Sequence, residues 1–361
     1  MTELTTIAGP HAHEHNHVTR IMLLVMLALA PATLFGMVLF GWPAVLLFAV
    51  TVVTAVLAEV VCLAIAGRPV KRTLFDGSAL LTGWLLAMTL PPWAPWWIGV
   101  VGALLAIVVA KQVFGGIGQN LFNPAMVARV ALLISFPVEM TTFVQAAGLA
   151  GNAPGFTDAI AITFGGAAQP DAFSSATVLG HLRTELTRGG DVAGALSGHF
   201  DPWALLLGNT AGSMGETSAL LILLGGLWLI YKRVISWHIP LSMLLALAAL
   251  ATVFHLIDPG RYAGPVYHVV SGAALLGAFF IATDLVTSPV TPRGQLLFGA
   301  GCGLLVYVIR TWTNYPEGVA FAVMLMNACT PLIDHYIKPR IYGRTRRGEP
   351  LSYPDASGDD A

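Results

Sequence analysis

The sequence predicts an all-α polytopic membrane protein, on three observations. Of the 361 residues, 56% are hydrophobic and only 10% are charged, whereas about 25% of residues are charged in soluble domains; the mean hydropathy is +0.75. Apolar runs long enough to cross a hydrocarbon core of roughly 30 Å as helices recur along the whole chain. Lys and Arg cluster after particular runs, which sets an orientation. The net charge of −1 says little about partners, and nucleic acid is not expected among them.

The apolar runs predict about ten transmembrane helices, arranged as two halves of five. The third, fifth and sixth spans are short or interrupted by Gly and Pro, so their ends are the least well defined. The predicted spans are Ile21–Phe40, Ala44–Ala66, Ser78–Leu90, Trp97–Val113 and Pro124–Phe136 in the first half, then Trp203–Asn209 continuing or breaking into Ser218–Tyr231, Ile239–Leu256, Val266–Leu285, Gln295–Trp312 and Val319–Tyr336 in the second.

Three basic clusters predict the orientation, because short loops rich in Lys and Arg stay in the cytoplasm. All three follow even-numbered spans, so both termini are expected in the cytoplasm and the long loop on the opposite face, which for a bacterial inner membrane is the periplasmic face. The predicted segments are a His-rich cytoplasmic tail (1–20), a first repeat (21–136), the periplasmic loop (137–202), a second repeat (203–337) and a basic cytoplasmic tail (338–361). The clusters are Arg68, Lys71 and Arg72, then Lys232 and Arg233, then Lys338, Arg340, Arg344, Arg346 and Arg347.

The two halves show a weak internal similarity. Aligning the segment from Ser78 with the segment near Ser271 superposes Gly83 on Gly277 and Thr89 on Thr283. With five spans in each half, the copies would be inverted about an axis in the membrane plane, with broken helices and binding sites near the midplane. The alternative is that spans rich in Gly, Ala, Leu and Thr resemble one another by composition.

Two segments rich in Gly and amide or acidic side chains are candidate ligand sites. The run from Gly115 to Ala125 combines flexible glycines with amides that suit a polar ring edge. The run from Gly208 to Ser218 interrupts the sixth span, and unwound backbone at that depth must be buried or line a cavity. The residues we predict for a flavin or ion cavity are Gly118, Asn120, Asn123, Gly212, Ser213, Glu216, Glu59 and Asp284.

Ionisable residues within spans are candidates for function, because placing one at a helix centre costs roughly 2.5–3.5 kcal/mol. Glu59, deep in the second span, is the clearest; Arg129 lies nearer a span end, and Lys111, Arg310 and Asp334 are expected to snorkel or pair. Alternating histidines in the N-terminal tail favour a disordered segment over a metal site. The three cysteines are predicted to be packing residues, and no metal site is predicted. The histidines are His11, His13, His15 and His17, and the cysteines are Cys62, Cys302 and Cys329.

The run from Asp171 to Thr177 places an acid and several small hydroxyl residues in the long loop. Such clusters are ordinary loop composition. A threonine hydroxyl among Ser and Ala residues is nevertheless expected to be sterically open, and Thr177 is a candidate for covalent modification.

The chain resembles the RnfD family of the Rnf electron-transport complex and, more distantly, the NqrB component of the sodium-pumping NADH:quinone reductase. The resemblance spans nearly the whole chain and is carried by four motifs in order, Lys111–Ala125, Gly212–Ser218, Ala282–Gln295 and Tyr315–Asn327. It implies a six-subunit complex with partners of the Rnf A, B, C, E and G types, which moves electrons between ferredoxin and NAD and couples this to Na⁺ or H⁺ translocation. Because this chain has no cluster-binding cysteine pattern or dinucleotide fingerprint, it is not expected to be catalytic alone.

The resemblance also implies a covalent cofactor. Members of the family carry FMN through a phosphoester to a threonine in a motif of the form Asp-x-x-Ser/Thr-Gly/Ala/Ser-Ala-Thr, made by a separate flavin transferase. This chain supplies Thr177 as the acceptor, and Ser175 stands where Gly is commoner. Related subunits also hold a noncovalent riboflavin within the membrane. The remaining motif residues are Asp171, Ser174 and Ala176.

Two other functions fit the membrane fold. An inverted repeat with broken helices also suits a channel or transporter for ions or small solutes. A scaffold subunit with an inert loop motif is the third interpretation. Covalent flavin in the protein band distinguishes the redox subunit from both.

Overall fold

The computed structural model describes residues 17–146, 154–165, 174–175, 177–198, 200–208, 210–313, 315, 317–339, 343–344 and 349. This part of the chain is almost entirely helical, as the sequence predicts. Its helices are α1 Val18–Phe40, α2 Trp42–Ile65, α3 Val70–Leu74, α4 Ser78–Thr89, α5 Trp96–Leu104, the π-helix π1 Leu105–Gln112, α6 Pro124–Ser135, α7 Pro137–Thr141, α8 Phe156–Phe164, α9 Val178–Thr187, α10 Val192–Leu196, α11 Pro202–Leu207, α12 Ala219–Tyr231, α13 His238–Ile257, α14 Pro265–Val270, α15 Ala274–Leu276, the π-helix π2 Gly277–Ile281, α16 Pro292–Trp312 and α17 Val319–Tyr336.

The apolar helices identify a multi-pass membrane protein. Four of them, α1, α2, α13 and α16, are long and apolar enough to cross a membrane by length and composition. Shorter apolar helices occupy Ser78–Thr89, Trp96–Gln112, Pro124–Ser135 and Ala219–Tyr231. Along α2, Val53, Leu57 and Val61 point outward with more than half of each side chain exposed. An apolar stripe at this i, i+4 spacing on an outer surface suits lipid.

The core joins both halves of the chain. One cluster of buried residues runs from Leu29 of α1 through Leu132 of α6 to Phe298 of α16. Helix α13 packs extensively along α16, and α2 packs against α4 and α5. The described helices coincide with the predicted spans, while the number of crossings and the inverted repeat stay predictions.

Two spans are broken within the membrane region. The break between α11 and α12 agrees with the prediction, and Ser213, Met214 and Thr217 within it are fully buried. The eighth span, predicted as continuous, is instead interrupted between α14 and α15. Gly272 has a φ of +67° there, a left-handed conformation that favours glycine. Sequence patterns missed this break because Ser, Gly and Ala are also common where helices pack closely.

The predicted long loop contains short helices and a two-stranded sheet. Strand β1 (Phe143–Val144) pairs antiparallel with β2 (Ser174–Ser175), so that Phe143 lies opposite Ser175. Helix α8 packs against α2, and α9 follows directly after the candidate modification motif. The end of that motif is therefore held by backbone pairing on one side and by a helix on the other.

Candidate functional site

Thr177 is the N-cap residue of α9. Its backbone is extended, and its Oγ1 accepts a hydrogen bond from the Gly180 N–H at 3.1 Å. Capping of this kind satisfies a backbone donor that the helix itself leaves unpaired. The expectation of a sterically open hydroxyl was wrong, since Thr177 is only 8% exposed. Its burial follows from the position of the α9 N-terminus, which lies against residues of α6 and of the α11–α12 break.

A small cavity of about 30 Å³ adjoins Thr177 and is lined by charged side chains. Arg129 of α6, Glu216 of the α11–α12 break and Glu317 before α17 all contribute to its wall. Arg129 is 8% exposed, and its Nη1 has no hydrogen-bond partner among the described residues. A buried guanidinium with a spare donor is well suited to a phosphate oxygen. The residues around Thr177 therefore fit a phosphoester.

The broken sixth span supplies the acidic wall of this cavity. Ser213 Oγ donates to Glu216 Oε1 at 2.8 Å, and the Gly215 N–H donates to the Met88 carbonyl at 2.7 Å. The first bond lies within the unwound segment, and the second holds that segment against α4. A further pocket of about 10 Å³ is lined by Thr177, Glu216 and Gly272, which brings the two helix breaks to the same place.

Arg310 and Glu317 stabilise the second break. Arg310 Nη2 lies 3.0 Å from Glu317 Oε2 and also donates to the Ser271 carbonyl, while Nη1 donates to the His268 carbonyl at 2.6 Å. Glu317 Oε2 in turn accepts from the Ala273 N–H at 3.0 Å. The ion pair thus satisfies backbone groups that the interrupted helix leaves open. The predicted pairing of Arg310 is confirmed, with Glu317 as a partner that the sequence did not indicate.

A large cavity of about 670 Å³ lies beside α9 on the same side of the protein. We call it the α9 cavity. One wall is formed by α9, another by the segment between α13 and α14, and the floor by Tyr267, His268 and Arg310. Leu179 lines both this cavity and the small cavity of Thr177.

A cavity of about 110 Å³ lies at the opposite ends of the helices. We call it the Lys111 cavity. Asn120, Asn123, Thr283 and Asp284 line it together with Lys111. Asn123 also caps α6 and accepts from the N–H groups of two following residues. The preceding turn is made by glycines with positive φ, +84° at Gly118 among them, although Gly118 is not part of the cavity wall.

Lys111 forms a buried ion pair with Glu59, which confirms that this lysine pairs. Lys111 Nζ lies 2.9 Å from Glu59 Oε1 and donates to Ser78 Oγ at 2.8 Å, and both charged side chains are at most 3% exposed. Ser78 Oγ donates in turn to Asp76 Oδ1 at 2.6 Å, at the start of α4. Glu59 Oε2 has no hydrogen-bond partner among the described residues. The chain of contacts links a part-buried carboxylate to one deep in the second span.

The predicted cavity residues thus separate into two groups. Asn120, Asn123 and Asp284 line the Lys111 cavity, with Glu59 behind Lys111. Ser213 and Glu216 belong instead to the site of Thr177, and Gly212 packs against Glu216. The two Gly-rich segments therefore lie at different cavities.

Three charged residues that line the Lys111 cavity and the small cavity beside Thr177 were not predicted to take part in ligand binding. They are Lys111, Arg129 and Glu317, each of which lines one of the cavities. Lys111 and Glu317 lie inside the motifs that this chain shares with the family, so the motifs could have indicated these two residues. Arg129 stands outside all four motifs, and its position in the site depends on helix packing.

Several predicted residues lie outside the described part of the chain. These include Asp171 and Ala176, and for Ser174 and Ser175 the structure describes only the backbone. Among the described residues, no group of His, Cys, Asp and Glu has the arrangement of a metal site. Cys302 is buried, Cys62 is half-buried and Cys329 is exposed. His11, His13 and His15 also lie outside the described residues.

Comparison with known proteins gives consistent results along almost the whole chain. Residues 5–343 match the model of the NQR2, RnfD, RnfE family. The chain is 58% identical over 353 residues to the D-type subunit of the ion-translocating oxidoreductase complex of Halorhodospira halophila, covering 98% of both proteins. It is 58% identical to the protein of that name from Stutzerimonas stutzeri over 92% of this chain and 94% of the relative. The Rhodobacter capsulatus protein is 50% identical over 84% of each.

Proposed function

Since this chain belongs to the NQR2, RnfD, RnfE family and is a subunit of an ion-translocating oxidoreductase complex, we propose that it carries electrons on an FMN bound covalently to Thr177. The bond is a phosphoester between Thr177 Oγ1 and the FMN phosphate, which the flavin transferase would form by breaking the pyrophosphate of FAD, so that the hydroxyl loses its proton and AMP leaves. When bound, the flavin supplies a carrier that accepts and passes on one or two electrons.

The placement of Thr177 beside Arg129 is the observation that carries this proposal. A phosphate joined to Thr177 keeps a negative charge, and Arg129, whose Nη1 has no hydrogen-bond partner among the described residues, lines the same cavity. The N-terminus of α9 adds backbone N–H groups and the positive end of a helix dipole. Arg129 and Arg310 carry two positive charges near the two part-buried carboxylates of Glu216 and Glu317. The N–H groups at the start of α9 and the guanidinium of Arg129 are therefore the groups that would meet the additional charge of the phosphate.

The Lys111 cavity supports a second, noncovalent flavin, riboflavin. Asn120 and Asn123 present amides, and Lys111 and Asp284 present charges, to a cavity with otherwise apolar walls. Ligand pockets usually enclose roughly 300–1,000 Å³, so the side chains that close this cavity of about 110 Å³ must move outward to admit a ring system. Two flavins at opposite ends of the helices would form an electron path across the membrane.

The remaining parts of the reaction belong to partner subunits in this proposal. Electrons pass between ferredoxin and NAD, and their movement is coupled to Na⁺ or H⁺. Partners of the Rnf A, B, C, E and G types supply the iron–sulfur and nicotinamide chemistry, and a flavin transferase matures Thr177. The chain lies in the inner membrane with Thr177 on the periplasmic side and both termini in the cytoplasm.

A denaturing gel viewed under ultraviolet light tests the proposal. The chain is coexpressed with a flavin transferase, and covalent flavin is expected to fluoresce in the wild-type band while noncovalent flavin washes out. Thr177→Ala should give a dark band. Thr184→Ala, which removes an exposed hydroxyl from the same helix, should stay bright. A dark wild-type band would overturn the assignment.

A further inference from the structure

The cavities that touch Thr177 are too small for a flavin ring. They measure about 30 and 10 Å³, an order of magnitude below the roughly 300 Å³ at which ligand pockets usually begin. A phosphate and the first atoms of the ribityl chain fill such a space. The three-ring isoalloxazine therefore needs another volume within reach of the same tether.

We propose that the isoalloxazine ring of this tethered flavin lies in the α9 cavity. This inference rests on the covalent FMN at Thr177 proposed above. The α9 cavity, at about 670 Å³, falls within the usual range for a ligand pocket. Leu179, two residues beyond the anchor, lines it and the small cavity alike. The ribityl chain would pass Leu179 and carry the ring along α9.

The walls of the α9 cavity suit a flat aromatic ligand. Leu182 and Leu186 form an apolar side, and Tyr262, Tyr267 and Trp312 add aromatic surfaces. Aromatic rings pack well on such surfaces in offset or edge-to-face geometry.

The floor of the α9 cavity is its polar side. Arg310 and His268 contribute to this floor, and the buried atoms Arg310 Nε and His268 Nδ1 behind its surface lack hydrogen-bond partners among the described residues. The pyrimidine edge of the flavin, which carries carbonyl acceptors and an N–H donor, is the edge of the ring that suits a polar floor.

Individual cations at the wall of the α9 cavity stabilise the reduced ring. Arg310 is already paired with Glu317, and Arg183 and Arg261 line the cavity together with two carboxylates, Asp191 and Asp258, so the position of each cation, and not the sum of the charges, decides its effect. A flavin that takes up two electrons and one proton gains a negative charge on its pyrimidine edge. Cations near that edge stabilise the charge and raise the reduction potential, which is how a protein tunes a flavin that it does not bond through the ring.

Two arginines on and just after α9 provide a matched test. Arg183 lines the α9 cavity, with Nη1 donating to the Thr311 carbonyl at 2.7 Å. Arg188, on the other hand, has a side chain that is 71% exposed and pairs with Glu185. In the assembled complex, Arg183→Gln is expected to shift the midpoint potential of the covalent flavin to more negative values. Arg188→Gln is expected to leave that potential unchanged.

A second pair of variants tests the position of the ring by its absorption. Thr187 lines the α9 cavity, and Thr184 lies one turn away and does not. A tryptophan that reaches the ring changes the visible flavin band, so Thr187→Trp should shift that band and Thr184→Trp should not. The spectrum of the Thr177→Ala complex, which lacks the covalent flavin, is subtracted from each spectrum. The subtraction removes the contribution of all other flavins.

The outcomes separate this inference from the proposed function. If the wild-type band fluoresces on the gel but Arg183→Gln and Arg188→Gln have the same potential, and neither tryptophan shifts the band, the ring lies elsewhere while the anchor stands. If the wild-type chain carries no covalent flavin, the proposed function itself fails. A negative shift confined to Arg183→Gln together with a band shift confined to Thr187→Trp supports the α9 cavity.

Discussion

Lys111 Nζ and Glu59 Oε1 lie 2.9 Å apart, and both side chains are almost completely buried. The two residues are 52 positions apart in sequence and join α2 to the end of π1. π-helical turns inside α-helices are frequent at functional sites. The pair therefore combines a charge deep in a span with a backbone irregularity beside it.

Removing one member of this pair is expected to destabilise the protein. Glu59→Gln leaves the Lys111 charge without its partner, and breaking a buried ion pair in this way costs about 3–5 kcal/mol. The double variant Glu59→Gln/Lys111→Met removes both charges and should recover most of that loss. Thermal unfolding of the purified subunit in detergent measures both. Equal melting temperatures of wild type and Glu59→Gln would contradict the importance of the pair.

Glu59 is also the residue that we expect to couple electron transfer to ion translocation. Its Oε2 has no hydrogen-bond partner among the described residues, and the residue lies at the end of the contacts that run through Asp76, Ser78 and Lys111. Glu59→Gln is expected to reduce ion uptake by membrane vesicles that contain the assembled complex, with electron transfer measured in parallel. Glu185→Gln, which removes a carboxylate of α9 outside this network, serves as the control. Unchanged ion uptake by Glu59→Gln would exclude Glu59 from coupling.

Covalent attachment of the flavin is expected to require a hydroxyl group at residue 177. Thr177→Ser keeps both the hydroxyl and the N-cap, so the band should still fluoresce. Thr177→Val keeps the shape but cannot form a phosphoester, and the lost cap destabilises α9 by about 1 kcal/mol. Mass spectrometry of the peptide containing residue 177 measures the modified fraction. A flavin adduct on the Val variant would place the anchor at another residue.

Arg129 is expected to assist attachment by pairing with the phosphate charge. Arg129→Lys keeps the charge but loses the planar, bidentate geometry of the guanidinium, whereas Arg129→Gln loses the charge, so the modified fraction should fall in the order wild type, Lys, Gln. Intact-mass measurement after coexpression with a flavin transferase checks the order. Full modification of the Gln variant would show that the phosphate does not depend on Arg129.

A change at Asn123 is expected to weaken riboflavin binding without lowering helix stability. Asn123→Asp keeps the oxygen that accepts from Ala125 and Met126 and places an acid at a helix N-terminus, so the melting temperature should hold. The amide donor is lost and a negative charge enters the Lys111 cavity, so noncovalent flavin should be released on washing. Chromatography of extracted flavin measures its content. Equal riboflavin in Asn123→Asp and wild type would argue against this cavity.

Gly272 should tolerate no side chain. Its positive φ strains other residues by roughly 1–2 kcal/mol, and an added Cβ would collide with the Glu317 carboxylate and with Leu179. Gly272→Ala is therefore expected to lower the melting temperature strongly. At Gly264, just before α14, an added Cβ meets no atom within 4 Å, so Gly264→Ala is the control. Similar stability of the two variants would contradict the role assigned to this break.

Local sequence was sufficient for the position of the long apolar helices and for the break before Ser218. It was also sufficient for the start of α6 at Pro124, because proline is favoured at the first position of a helix. It was insufficient for the break at Gly272 and for the burial of Thr177. At Gly272 the decisive contacts come from Glu317 and Arg310, and Glu317 also lines the small cavity beside Thr177. Both charged residues are distant in sequence.

The sequence by itself determined that this is a membrane protein, where its apolar helices lie and which threonine stands in the flavin motif, because length, hydrophobicity and short motifs are local properties. Only the tertiary structure decided that Lys111 pairs with Glu59, that Glu216 belongs with Thr177 rather than with Asn120, and that Arg129 faces the anchor. The physical reason is that charges in the apolar interior need partners. Helix packing, which no short segment encodes, selects which partner each one meets.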